Sequence, residues 1–126
     1  MLNASIQDEY RSHATYAGVL VNFPDQKPFS NIVEAEAQHI SAVSQLFDIR
    51  GLSVPGSLNA TGDIAGFSTV TAACGASVVS ETATYEMYDE FLKLLGTAPA
   101  DVVNVFTNLR NASRDKHLPA FSTCAR

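Results

Sequence analysis

A carboxylate and an imidazole, two groups that bind metals and move protons, stand three residues apart in Glu36-Ala37-Gln38-His39. Three residues is close to one helical turn, so on a helix both side chains leave from the same face. The flanking sequence, FSNIVEAEAQHISAVSQLF, sets Ile32, Ile40, Val43, Leu46 and Phe47 at helical spacing, and Glu36 and His39 fall inside that stripe. A charged group in an apolar stripe has to be paired, hydrogen-bonded or bound to a metal. Inward-facing Glu-x-x-His is one way helix bundles hold paired metal ions. A surface ion pair and a hydrogen-bonded core histidine use the same spacing.

Other groups with chemical potential are scattered. Glu9 is an acidic residue near the start of a helical segment, where the helix dipole favours a carboxylate, and His13 lies one turn beyond it. Tyr16, Tyr85 and Tyr88 could donate electrons to a redox metal, although aromatic residues at helical spacing more often fill a core. Cys74 and Cys124 are far apart and not in a close metal-binding spacing. In a reducing compartment they would be free thiols; in an oxidising one they could tie the middle of the chain to its end. Asn3-Ala-Ser, Asn59-Ala-Thr and Asn111-Ala-Ser are acceptor triplets for N-glycosylation, which with the cysteine pair favours a secreted or cell-surface address over a cytoplasmic one. No nucleophile–base motif is present, and Gly75-Ala-Ser77 lacks the lysine and glycine spacing of a phosphate loop.

The elements that must position these groups read as helices. The first runs from about Ser5 to Val21 and stops before Phe23-Pro24-Asp25, with Ile6, Glu9, His13, Tyr16, Ala17 and Leu20 sharing a face. The second runs from near Ser30 to Arg50, with Gly51 as its terminator. Leu52 to Gly66 holds Pro55, Gly56 and Gly62 and reads as an irregular crossover. Residues 67–74 are expected to form a short helix closed by Gly75. A third long helix follows Ser77 and ends at Gly96, striped by Val78, Tyr85, Tyr88, Leu92 and Leu95. On it, periodicity puts Glu81 on the inner face. The fourth follows Pro99, carries Val102, Val105, Phe106 and Leu109, and should finish before Pro119. No run alternates with the period of a strand, so the chain is expected to be all-α.

A chain of 126 residues suits one domain with a real core. Its net charge of −5 and only 8 Lys plus Arg leave no basic footprint for nucleic acid. No apolar run approaches the roughly 20 residues of a membrane span. MLNASIQDEY lacks the basic start and apolar stretch of a signal peptide.

The order and spacing of several pieces resemble a mostly microbial ferritin-like family, a domain of unknown function of the rubrerythrin and ferritin type. These pieces are Glu9 with Tyr16 seven residues later, FSNI followed by Glu36-x-x-His39, Glu86-x-x-Asp89, and the closing Ser113-Arg114 and HLPAF. The resemblance covers nearly the whole chain. It implies a single ferritin-like four-helix bundle over residues 1–126, with a long irregular crossover between helices 2 and 3. It also implies inward ligands for one or two ions of iron, manganese or zinc: Glu9, Glu36, His39, Glu86 and His117, with Asp89 beside them. The activities implied are metal oxidation, peroxide removal or sequestration. By its spacing the resemblance favours Glu86 over Glu81 on the third helix.

The chain departs from this pattern on its last helix. Arg114, a cation that would repel a metal, precedes His117 where a second Glu-x-x-His would carry its carboxylate. One residue is also inserted in Ser-Arg-Asp-Lys-His, which would turn His117 by about 100° around a regular helix. Thr107 stands where the family often has a carboxylate. The fourth helix is therefore expected to contribute nothing to a site. The competing reading is an extracellular structural subunit, glycosylated and disulfide-linked, that keeps the bundle, assembles with copies of itself or other chains, and holds a degenerate metal site or none.

Overall fold

A computed structural model of the chain describes residues 1–58 and 66–126, and every regular element among them is helical. The chain forms two compact units, Met1–Val70 and Thr71–Arg126. None of the described helices is long and apolar enough to cross a membrane.

The first unit is a hairpin of α1 (Leu2–Asn22) and α2 (Phe29–Ile49). The helices run antiparallel, with Tyr16 near the end of α1 meeting Phe29 at the start of α2 edge-on at 5.8 Å. Ile6, Tyr16 and Val19 from α1 and Phe29, Ile32, Val43, Leu46 and Phe47 from α2 are buried. The apolar stripe read from the sequence is thus the inner face of α2, with Ile40 at its half-buried margin. α1 begins three residues earlier than expected. Ser5 is not its cap, since its amide already donates to the Met1 carbonyl at 2.9 Å and the residue is buried.

Gly51 ends α2 as foreseen. At φ +65° it takes the left-handed conformation, its amide reaches Asp48 O and the Leu52 amide reaches Phe47 O, both at 3.0 Å. This is the paired closure that glycine gives a helix C-terminus. The extended segment beyond it is held to the first helix by side chains. The Tyr10 hydroxyl donates to Pro55 O at 2.9 Å. The Gln7 amide donates to Gly56 O and accepts from the Leu58 amide, each at 2.9 Å. The rest of the expected crossover, including Asn59, lies outside the described residues up to Gly66.

In the second unit, α3 (Val70–Leu95) is one continuous helix. The expected break at Gly75 does not occur. Gly75 faces open space, and Ser77 turns its hydroxyl back onto Ala73 O at 2.8 Å instead of capping a new helix. Burial of Ala73, Cys74 and Ser77 overrides the roughly 1 kcal/mol by which glycine disfavours a helix. α4 (Ala100–Ala112) returns antiparallel to α3. Phe106 packs on Tyr88 at 5.2 Å and on Phe91 at 5.7 Å, and Arg110 donates to Asp89 at 2.7 Å.

The chain does not stop before Pro119. Ser113–His117 form one wide π-helical turn, in which the Leu118 amide reaches back five residues to Ser113 O, and α5 (Leu118–Cys124) continues from it. A proline inside an α-helix collides with the carbonyl four residues back; the widened turn just ahead of Pro119 relieves that collision. Cys124 then bonds Cys74, with Cα atoms 5.9 Å apart, which closes the choice the sequence left open between thiols and a bridge.

Candidate metal centre

The first unit brings together Glu9 from α1 and Glu36 and His39 from α2. His39 Nδ1 lies 3.2 Å from Glu9 Oε2 and 3.1 Å from Glu36 Oε2. Glu9 and Glu36 are 1% and 2% exposed, so neither carboxyl is solvated by bulk water. The helical spacing that puts Glu36 and His39 on one face also carries Ile32 and Val43, whose burial fixes that face inward. On α1, burial of Ile6, Ser12 and Tyr16 does the same for Glu9.

The electrostatics follow from this crowding. Burial raises the Glu9 carboxyl from 4.5 to about 8; the His39 hydrogen bond opposes that rise and the nearby Glu36 carboxylate adds to it. Burial alone would lower the imidazole of His39, but its hydrogen bonds to Glu36 and Glu9 outweigh that and hold it up to about 10. At pH 7 the protein therefore keeps Glu9 neutral and His39 cationic, with Nδ1–H shared between two carboxyl groups.

These groups also fit a metal ion. The candidate ligand atoms of Glu9, Glu36 and His39 lie within 4.8 Å of one another. Oxygen and nitrogen atoms bound to one ion at about 2.1 Å stand roughly 3–4 Å apart, so small side-chain shifts suffice. Two carboxylates and a neutral imidazole balance a divalent charge. That donor set suits iron, manganese or zinc.

The second unit carries a matching pair. Glu81 on α3 and His117 on the π-helical turn are 1% and 4% exposed, with His117 Nδ1 3.3 Å from Glu81 Oε1. The residue inserted in Ser113–His117 does not turn His117 away, because the wide turn absorbs it and leaves the imidazole facing α3. Arg114 points elsewhere: it is exposed and paired with Asp115 at 2.7 Å. The expectation that this last helix offers nothing, and that a cation spoils it, is overturned by the change of pitch.

On α3 the resemblance and the periodicity disagree, and the observed burial follows periodicity. Glu81 is inside while Glu86 is exposed, and Asp89 is engaged with Arg110. The inner face of α3 is Cys74, Ser77, Glu81, Thr84 and Tyr88, spaced by threes and fours. Most of these are small or polar, so hydrophobicity alone gives no sign of the face. His13 is half-buried and takes no part in the Glu9–Glu36–His39 cluster. Asp8, beside Glu9, is also buried and pairs with Arg11.

Of the glycosylation triplets, Asn3 is exposed in the first turn of α1, and Asn111 is half-buried, its side-chain oxygen accepting from Arg110 Nε at 2.9 Å. Their third members, Ser5 and Ser113, are buried helical residues. No family model, no curated protein and no solved structure matches this chain.

Proposed function

We propose that this chain is a ferritin-like metal-binding protein in which Glu9, Glu36 and His39 hold a divalent first-row ion and Glu81 and His117 supply further ligands of the same kind. The observation that carries the reading is the meeting of two buried carboxyls and an imidazole from α1 and α2 at one point. Ferritin-type sites take a Glu from one helix and a Glu-x-x-His from the next, twice over. The first unit supplies one such set in Glu9 and Glu36-x-x-His39. The second supplies Glu81 and His117 without the remaining carboxylate, since Arg114 stands at its sequence position.

When bound, iron or manganese would supply electron transfer to dioxygen or peroxide, and zinc would supply Lewis acidity. The chain's own residues bind and orient the ion, exclude bulk water from it, and give up protons to admit it. Sequestration of the metal is the minimal function, and oxidation or peroxide removal follows only for a redox-active ion.

Elemental analysis of protein from its native source tests this. One or two equivalents of iron, manganese or zinc are expected, lost in Glu36→Ala and His39→Ala and retained in Glu86→Ala. Protein that stays metal-free after reconstitution with all three ions would sink the reading and leave the cluster as hydrogen-bonded core. The extracellular structural reading would then lead, supported by the Cys74–Cys124 bridge and the exposed Asn3. Its check is intact mass before and after deglycosylation.

A further inference from the structure

Cys74 and Glu81 are seven residues apart on α3, two full turns, and so lie on one face. His117 and Cys124 are also seven residues apart, along α5. Glu81 faces His117 and Cys74 is bonded to Cys124, so the hydrogen bond and the disulfide are two cross-links over one seam. Buried Ser77 and Phe121 lie between them in sequence.

α5 has little else to keep it in place. It is a helix of 7 residues with one buried side chain, Phe121, and only Ala125 and Arg126 follow it. Isolated helices shorter than about 12–15 residues do not persist in water. The covalent link therefore does what the apolar surface of α5 cannot. Cys74 is fully buried while Cys124 is half-buried, so one sulfur of the bridge is open to attack.

We propose that the Cys74–Cys124 disulfide is a redox-sensitive latch: closed, it holds His117 against Glu81, and its reduction releases the C-terminal turn and exposes His117. The step balances with a small dithiol as reductant. One thiolate of the dithiol attacks Cys124 Sγ, the S–S bond breaks, and Cys74 leaves as a thiolate that takes up a proton. The second thiol then displaces Cys124 from the mixed disulfide, giving two cysteine thiols and the cyclised, oxidised dithiol. That opening the latch withdraws a metal ligand rests on the function proposed above; the release of His117 does not.

The test is diethyl pyrocarbonate labelling of the full chain, oxidised and after dithiothreitol, with each histidine followed by peptide mass spectrometry. His117 is expected to react at least ~10-fold faster in the reduced protein while His39 is unchanged, because exchange-protected imidazoles react only when opened. The variant Cys74→Ser/Cys124→Ser should match the reduced protein with or without dithiothreitol. Equal protection of His117 in both states would overturn the latch. So would simultaneous exposure of His117 and His39, which would mean that the bridge supports the whole fold. A parallel titration with Co²⁺, the Cys→Ser variant standing for the open state, separates the two claims. Co²⁺ binding by neither form defeats the metal reading while the histidine labelling still decides the latch, and equal binding by both, with His117 released, breaks the link between them.

Discussion

In water a glutamate gives up its proton near pH 4.5 and a histidine near 6.5; in this protein Glu9 keeps its proton to about 8 and His39 to about 10. Both folded values lie above the unfolded ones, so for both groups the folded chain binds the proton more tightly. Stability of the metal-free protein is then greatest below those unfolded values and falls as pH rises, through 4.5 to 8 for Glu9 and 6.5 to 10 for His39. Each group contributes a slope of about 1.4 kcal/mol per pH unit inside its window. Thermal melts in chelator should therefore show Tm dropping between pH 5.5 and 8.5, and Glu9→Gln should flatten the lower part of that fall. Metal binding must displace both protons. Calorimetry at pH 7 in buffers of different ionisation enthalpy is expected to report close to two protons released per ion. Release of none would mean that the ion binds elsewhere.

The π-helical turn sets the direction of everything that follows it. Deleting Lys116 would return Ser113–Leu118 to the α-helical pitch and rotate the rest of the chain by about 100°. His117 would leave Glu81, removing the imidazole partner of a buried carboxyl at a cost of about 1–3 kcal/mol. Cys124 would turn away from Cys74 as well, beyond the reach of a disulfide. Thiol titration of the deletion variant should find two free cysteines where the parent has none. A bridge that still forms would show that α5 finds its seat without the turn.

The Cys74–Cys124 bridge closes a ring across a sequence separation of 50 residues. Constraining the unfolded chain over that length is worth about 4 kcal/mol by loop-closure entropy. Cys124→Ser is therefore expected to lower Tm by about 10 °C, read by circular dichroism. What the sequence discloses of this molecule divides along the same lines as its chemistry. α2, its Gly51 terminator and the inward Glu36–His39 pair are legible because an apolar stripe surrounds them. Glu9 is legible as a member of its face, though its partner across the hairpin is not, since pairing between helices leaves no local trace. The face of α3 is obscured because Cys74, Ser77, Glu81 and Thr84 are weakly hydrophobic, which lets the louder Tyr85–Leu92 pattern compete with it. The place of His117 is hidden for another reason: a change of helical pitch is a response to tertiary packing and has no residue signature of its own.

Gln7 does for the segment after α2 what a neighbouring β-strand would do. One side-chain amide gives a hydrogen to Gly56 O and takes one from the Leu58 amide, as a peptide group does in a ladder. The other end of that segment is pinned where the Leu52 amide closes α2 on Phe47 O. Between two fixed ends the length of chain becomes a specification. A residue inserted after Ser53 would pull either the helix terminator or the glutamine rung out of register, whereas a substitution at the same place would disturb neither.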